Sequence, residues 1–114
     1  MPTIYHNPRC SKSRETLSLI QSKGIDPSII LYLETPPSKA ELKSILSKLG
    51  LKVREIIRTG EEAYKNLSLK DDSLSDDQLL DAIVDYPKLL QRPIVVEGER
   101  AIIGRPPENV LDLL

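Results

Sequence analysis

Pro2-Thr3-Ile4-Tyr5-His6-Asn7-Pro8-Arg9-Cys10-Ser11-Lys12-Ser13-Arg14 changes character twice within its length. Thr3, Ile4 and Tyr5 are β-branched or aromatic, so Pro2–Tyr5 suits a short strand. Pro8 has no N–H to give to a ladder and stops it. Ser11, Ser13 and Thr16 then lead into Leu17 and Ile20, which lie three apart on one helix face. Gly24 suits the residue just past a helix end. The order is strand, loop, helix, with Cys10 in the loop at the C-terminal end of the strand. Open α/β sheets place their ligands there.

Cys10 is the only cysteine in the chain. The first backbone N–H groups of a helix lack partners within it, and the macrodipole puts partial positive charge there. A thiolate at such a place is favoured over a thiol, and nearby cations favour it further. The same N–H groups bind oxyanions. A free cysteine is more commonly a small buried hydrophobe. Here its neighbours are His6, Asn7, Pro8, Arg9, Ser11 and Lys12, which do not make an apolar pocket, so a reactive thiol is expected. Position alone leaves the reading of His6 open: it is only a strand-end histidine, or it acts on the site, as a cation near the sulfur if protonated or as a residue that orients the loop.

Outward from this unit, Ile29-Ile30-Leu31-Tyr32-Leu33 predicts a second, well-buried strand and completes a βαβ unit with parallel strands. Thr35-Pro36-Pro37 breaks the chain. Ser38-Lys39-Ala40-Glu41 and Ser75-Asp76-Asp77-Gln78 are capping-box patterns. Each precedes an amphipathic helix: Leu42, Ile45, Leu46 and Leu49 in the first, and Leu79, Leu80, Ile83 and Val84 in the second. Between them, Val53–Arg58 and Glu61–Lys65 suit short helical turns. Pro93–Val96 and Ala101–Ile103 predict an antiparallel hairpin around Glu97-Gly98-Glu99. Pro106-Pro107 opens a last helix carrying Val110, Leu111 and Leu114.

The chain has 114 residues, and one domain over 1–114 is expected, with no repeat or linker. A net charge of −1 gives no global basic field for nucleic acid or a membrane surface, so anion binding must come from a local pocket. No apolar run reaches the roughly 18 residues of a membrane span, and no signal-peptide pattern opens the chain. One cysteine and one histidine supply neither an internal disulfide nor a multi-thiolate zinc site, so no metal is expected. An unpaired thiol fits a reducing, cytoplasmic location.

The element order, βαβ then helices then ββα, is that of an α/β, thioredoxin-like domain. It implies a mixed four-stranded sheet with flanking helices and a helical insertion. In that frame Arg92-Pro93, just before the third strand, is expected to carry a cis peptide bond. Arg58, Arg92 and Arg105 each stand at an element edge beside Thr, Pro or Gly. Arginine offers a planar fork of donors that matches oxyanions.

Taken together, Ile4-Tyr5-His6-Asn7-Pro8, Cys10 with Ser13-Arg14 and Thr16-Leu17, and Arg58-Thr59 form a specific combination. Ser75-Asp76-Asp77-Gln78-Leu79, Arg92-Pro93-Ile94-Val95-Val96 and Arg105-Pro106-Pro107-Glu108 with Val110-Leu111 complete it. Over essentially its whole length the sequence resembles the glutaredoxin-coupled arsenate reductases. The resemblance implies that Cys10 is the nucleophile and that Arg58, Arg92 and Arg105 form the oxyanion site. The histidine and serine associated with activating the cysteine fall on His6 and Ser13. It further implies arsenate as substrate and glutathione as co-substrate, with no bound cofactor. Glutaredoxin would then clear the resulting mixed disulfide. A weaker resemblance extends to redox regulators that bind RNA polymerase, which commonly carry Cys-x-x-Cys where this chain has Cys10-x-x-Ser13. Two other functions therefore stand beside arsenate reduction: a monothiol oxidoreductase acting on glutathione mixed disulfides, and a polymerase-binding regulator.

Overall fold

Alternation along the first strand decides what the sheet faces. In the computed structural model, which describes residues 1–114, β1 is Thr3–His6. Ile4 is fully buried in a cluster with Ile20, Val95, Val110 and Leu113. Ile20 belongs to α1 (Ser11–Ser22), Val95 to β3 (Ile94–Glu97), and Val110 to a 3-10 helix at Pro107–Asp112. One face of the sheet is thus covered by α1 and the terminal 3-10 helix. Successive strand residues point to opposite faces, so His6 shares the face of Ile4 and looks towards α1.

The sheet has four strands in the order β2-β1-β3-β4, with β2 at Ser28–Leu31 and β4 at Arg100–Ile103. β1 runs parallel to β2 and antiparallel to β3, and β4 is antiparallel to β3. This is the mixed, thioredoxin-like sheet expected from the element order. The β3–β4 connection is only Gly98-Glu99, and Gly98 has φ 60°. A positive φ at the first of two connecting residues is what a type II′ turn requires, which is why glycine stands there.

Several expectations need correction. The second strand is not well buried and does not reach Leu33. It is an edge strand with only β1 beside it, and Ile29 is 46% exposed. It ends at Leu31 because the backbone N–H groups of Glu34 and Thr35 both donate to the Leu31 carbonyl and turn the chain. The last helix forms as expected after Pro106-Pro107, as a 3-10 helix over Pro107–Asp112. Besides the Arg92–Pro93 bond, which is cis, the Arg105–Pro106 bond is also cis, and nothing in the sequence reading anticipates it.

Contacts group the chain into two compact units inside the span read as one domain. Met1–Thr35 with Arg92–Leu114 holds the sheet. Pro36–Gln91 is the helical insertion. The insertion comprises α2 (Lys39–Leu49), α3 (Glu62–Asn66) and α4 (Asp76–Asp85), with 3-10 turns at Val53–Ile56 and Pro87–Leu89. α4 has a complete capping box: Ser75 Oγ accepts from Gln78 N at 3.2 Å, and Gln78 Oε1 accepts from Ser75 N at 2.8 Å. At α2 only half the pattern forms. Ser38 Oγ accepts from Glu41 N at 3.1 Å, but the Glu41 carboxylate takes the Ser38 hydroxyl at 3.4 Å instead of its N–H. No helix is long and apolar enough to cross a membrane.

Candidate active site

Asn7 and Pro8 set the shape of the loop that carries Cys10. Cys10 N donates to Asn7 O at 3.0 Å and closes a turn, while Asn7 Oδ1 accepts from Arg9 N at 3.0 Å. The Arg14 guanidinium reaches back from α1 to Pro8 O at 2.9 Å. Cys10 itself is the N-cap residue of α1, in extended conformation, and its carbonyl accepts from Arg14 N at 3.0 Å. No side chain caps this helix and its first turn holds no acidic residue. The N–H groups of Ser11, Lys12 and Ser13 are therefore left open beside the partly exposed thiol.

Ser13 is fully buried, as is expected only of a hydroxyl with partners. Its Oγ accepts from Asn7 N at 3.0 Å and lies 2.6 Å from His6 Nδ1. The two groups share one hydrogen bond, whose direction follows the tautomer of the His6 ring. Burial, and secondarily the Arg14 guanidinium, push the His6 pKa below its ordinary value. Both effects favour the neutral form of the ring. This geometry fits the loop-orienting reading of His6: through Ser13 the ring is tied to Asn7 at the start of the Cys10 loop. Neither His6 nor Ser13 hydrogen-bonds the sulfur itself.

The next turn of α1 is fixed the same way. Thr16 is fully buried, donates to Lys12 O at 2.8 Å and lies 3.4 Å from Gly104 O. A Cβ on Gly104 would stand 2.5 Å from Thr16 Oγ1 and 2.8 Å from Pro93 Cγ. Only glycine lets the Gly104-Arg105-Pro106 segment pass this close to α1 and Pro93.

Sheet register then places two of the three expected arginines. Tyr5 pairs with Ile94, and Ile94 with Ile103. Two residues further, the same register sets Arg92 opposite both Asn7 and Arg105. The Gly104 N to Pro93 O bond of 2.9 Å shows that the ladder continues in that direction. Arg92, Arg105 and the Cys10 loop therefore share one end of the sheet. Arg105 is exposed, whereas Nε and Nη1 of Arg92 are buried with no hydrogen-bond partner. Leaving such donors unpaired costs about 1–3 kcal/mol each. Donors so placed match the oxygens of an anion.

Arg58 lies in the helical unit. Its N–H donates to Leu89 O at 2.7 Å, and its guanidinium holds Glu61 Oε1 at 2.6 Å in a part-buried ion pair. No three His, Cys, Asp and Glu side chains converge in a way that would hold a metal ion. The sequence reading gave no role to Asn7, Arg14 or Gly104. The Asn-Pro dipeptide is a turn signal that could have pointed to Asn7. The close approach at Gly104 has no local signature.

A family model described as the ArsC family matches residues 5–113. An arsenate reductase of Haemophilus influenzae is 54% identical over 112 residues, which is 97% of this chain and 97% of its own length. An arsenate reductase of Escherichia coli is 48% identical over 98% of this chain and 79% of its own. The solved structure of an arsenate reductase from Vibrio cholerae matches with a TM-score of 0.97 at 55% identity, covering 99% of this chain and 97% of that one. With nearly every residue matched, and with the thiol, open helix terminus and arginines at one sheet end, the chain belongs to the ArsC family.

Proposed function

We propose that the protein reduces arsenate to arsenite, with Cys10 as nucleophile and glutathione and glutaredoxin as the source of electrons. The observation that carries this reading is Arg92. Two of its guanidinium nitrogens are buried without partners at the sheet end where the α1 N–H groups are also open. Donors of this kind suit a tetrahedral oxyanion. The names of the relatives, arsenate reductases of similar length and about half-identical sequence, point to arsenate as that anion.

In this reading arsenate docks on the α1 terminus, Arg92 and Arg105. For Arg58 the support is the family resemblance alone. The Cys10 thiolate attacks arsenic(V) and an arsenate oxygen leaves as water, giving a sulfur–arsenic bond. With no second cysteine in the chain, the next thiol is external. A glutathione thiolate attacks the Cys10 sulfur, the sulfur–arsenic bond breaks, and its electron pair stays on arsenic. Arsenite leaves and a Cys10–glutathione disulfide remains. Glutaredoxin then removes the glutathione by thiol–disulfide exchange. The lone free thiol suits a reducing cytoplasm.

The test is arsenite formation from arsenate with glutathione and glutaredoxin. Arg92→Lys keeps the charge but loses the planar fork, so kcat/KM for arsenate should fall by about 10- to 100-fold. Alkylation of Cys10 by a small neutral reagent should continue. Full arsenate turnover in that variant would show that the anion lies elsewhere.

A further inference from the structure

The sheet order leaves the two sides of the Cys10 loop unlike. Arg92 and Arg105 flank it through β3 and β4. On the other side, towards β2, lies a cleft of about 250 Å³ lined by His6, Asn7, Pro8, Arg9, Leu31, Leu33 and Glu34. We propose that this cleft is the docking subsite for the second thiol, a peptide thiol carrying both carboxylate and ammonium groups. The inference rests on the proposed function for its place in the reaction, and its geometry stands independently.

Three features of the cleft fit that ligand. Asn7, Pro8 and Arg9 of its lining form the turn that Cys10 N closes on Asn7 O at 3.0 Å, so a ligand there lies against the loop that carries the sulfur. It presents one cation and one anion whose side chains are both uncommitted. Arg9 and Glu34 are exposed, and only their backbone N–H groups are engaged, with Asn7 Oδ1 at 3.0 Å and Leu31 O at 2.9 Å. Between them Pro8, Leu31 and Leu33 offer apolar surface for a thiol methylene, and Leu33 is 37% exposed. A nucleotide or a second oxyanion fits poorly, because the carboxylate of Glu34 stands beside the single cation. The volume is below the roughly 300–1,000 Å³ of sites that enclose a whole ligand. It holds the cysteinyl part of a small peptide, while the charged ends reach Arg9 and Glu34 at the rim.

The test uses a reaction without arsenic. Cys10 thiolate attacks one sulfur of glutathione disulfide, a Cys10–glutathione disulfide forms, and a glutathione thiolate leaves. Intact-protein mass spectrometry gives the rate. Hydroxyethyl disulfide, which is uncharged, reports the reactivity of Cys10 alone. The ratio of the two rates should fall about tenfold in both Arg9→Glu and Glu34→Lys, the scale of one lost charge-assisted contact. Glu34→Lys is the decisive arm. A general electrostatic effect on an anionic reagent makes that variant faster with glutathione disulfide, whereas loss of the ammonium partner makes it slower. Lys23→Glu, a reversal at the far end of α1 and outside the cleft, should leave the ratio within about twofold. An unchanged ratio in Arg9→Glu or an increased one in Glu34→Lys overturns the subsite. Absence of arsenite formation by the wild type, with the ratios as expected, overturns the proposed substrate and leaves the subsite standing.

Discussion

Helices α1 and α4 begin in opposite ways. α4 closes its terminus from within, by the reciprocal Ser75–Gln78 bonds, and adds Asp76 and Asp77 in its first turn. α1 begins at Cys10 with neither a side-chain cap nor an acid. The same backbone physics applies at both ends, so the difference lies in what each terminus is kept for. At α4 the unpaired donors are spent on stability. At α1 they remain available, and the structure is secured instead one turn away through Ser13 and Thr16.

The strongest way to break this contrast is to close α1. Cys10→Asp places a good capping group where the thiol was. Arsenite formation should fall by about three orders of magnitude or more, because the nucleophile is gone. The fold should gain about 1 kcal/mol by urea denaturation. A variant that loses stability would mean that the α1 terminus is not open in solution.

Next in size is Ser13→Ala. It leaves the Asn7 N–H and His6 Nδ1 without their buried partner, and should cost about 2 kcal/mol. The effect is larger than that of a lost cap because two groups are stranded at once. The matching change at the closed terminus, Ser75→Ala, should cost about 1 kcal/mol. It should leave Cys10 alkylation unchanged, since Ser75 supports only its own helix. If the two substitutions cost the same, Ser13 is no more than another helix residue.

The smallest expected effect is a pH dependence. His6 has a pKa lowered in the folded state, chiefly by burial. The unfolded chain therefore binds the proton more readily, and stability rises with pH across the window between the folded value and the ordinary 6.5. Stability is fully present above that window and is lost as pH falls through it. His6→Asn should flatten this part of the stability curve. An equal slope in the variant would assign the acid sensitivity to other groups.

Much of this was legible in the sequence because the signals were local. Pro8 ended the first strand, the Ser75–Gln78 pattern marked α4, and Gly98 marked the hairpin. Cys10 stood out for its polar neighbours. What escaped depended on neighbours distant in sequence. Ile29–Leu33 is as apolar as a central strand, and only the sheet order makes it an edge. Ser13 and Thr16 read as polar helix residues, yet both are fully buried, because their partners His6, Asn7 and Gly104 are set by strand alternation and by the packing of the last turn. The unpaired nitrogens of Arg92 likewise depend on burial, which residue type does not reveal.

The position of β1 between β2 and β3 also has a consequence for synthesis. Chains emerge N-terminus first and fold by parts as they appear. β1, the Cys10 loop and β2 are all made before the helical insertion, and β3, β4 and their arginines come last. Until then one edge of β1 has no neighbour, and an unpaired strand edge is a template for wrong partners. The nascent chain thus carries its one cysteine long before Arg92 and Arg105, which share its end of the finished sheet. A ribosome stalled within the insertion would display a thiol with an open strand edge beside it, and mixed disulfides or aggregates should accumulate at that stage rather than after release.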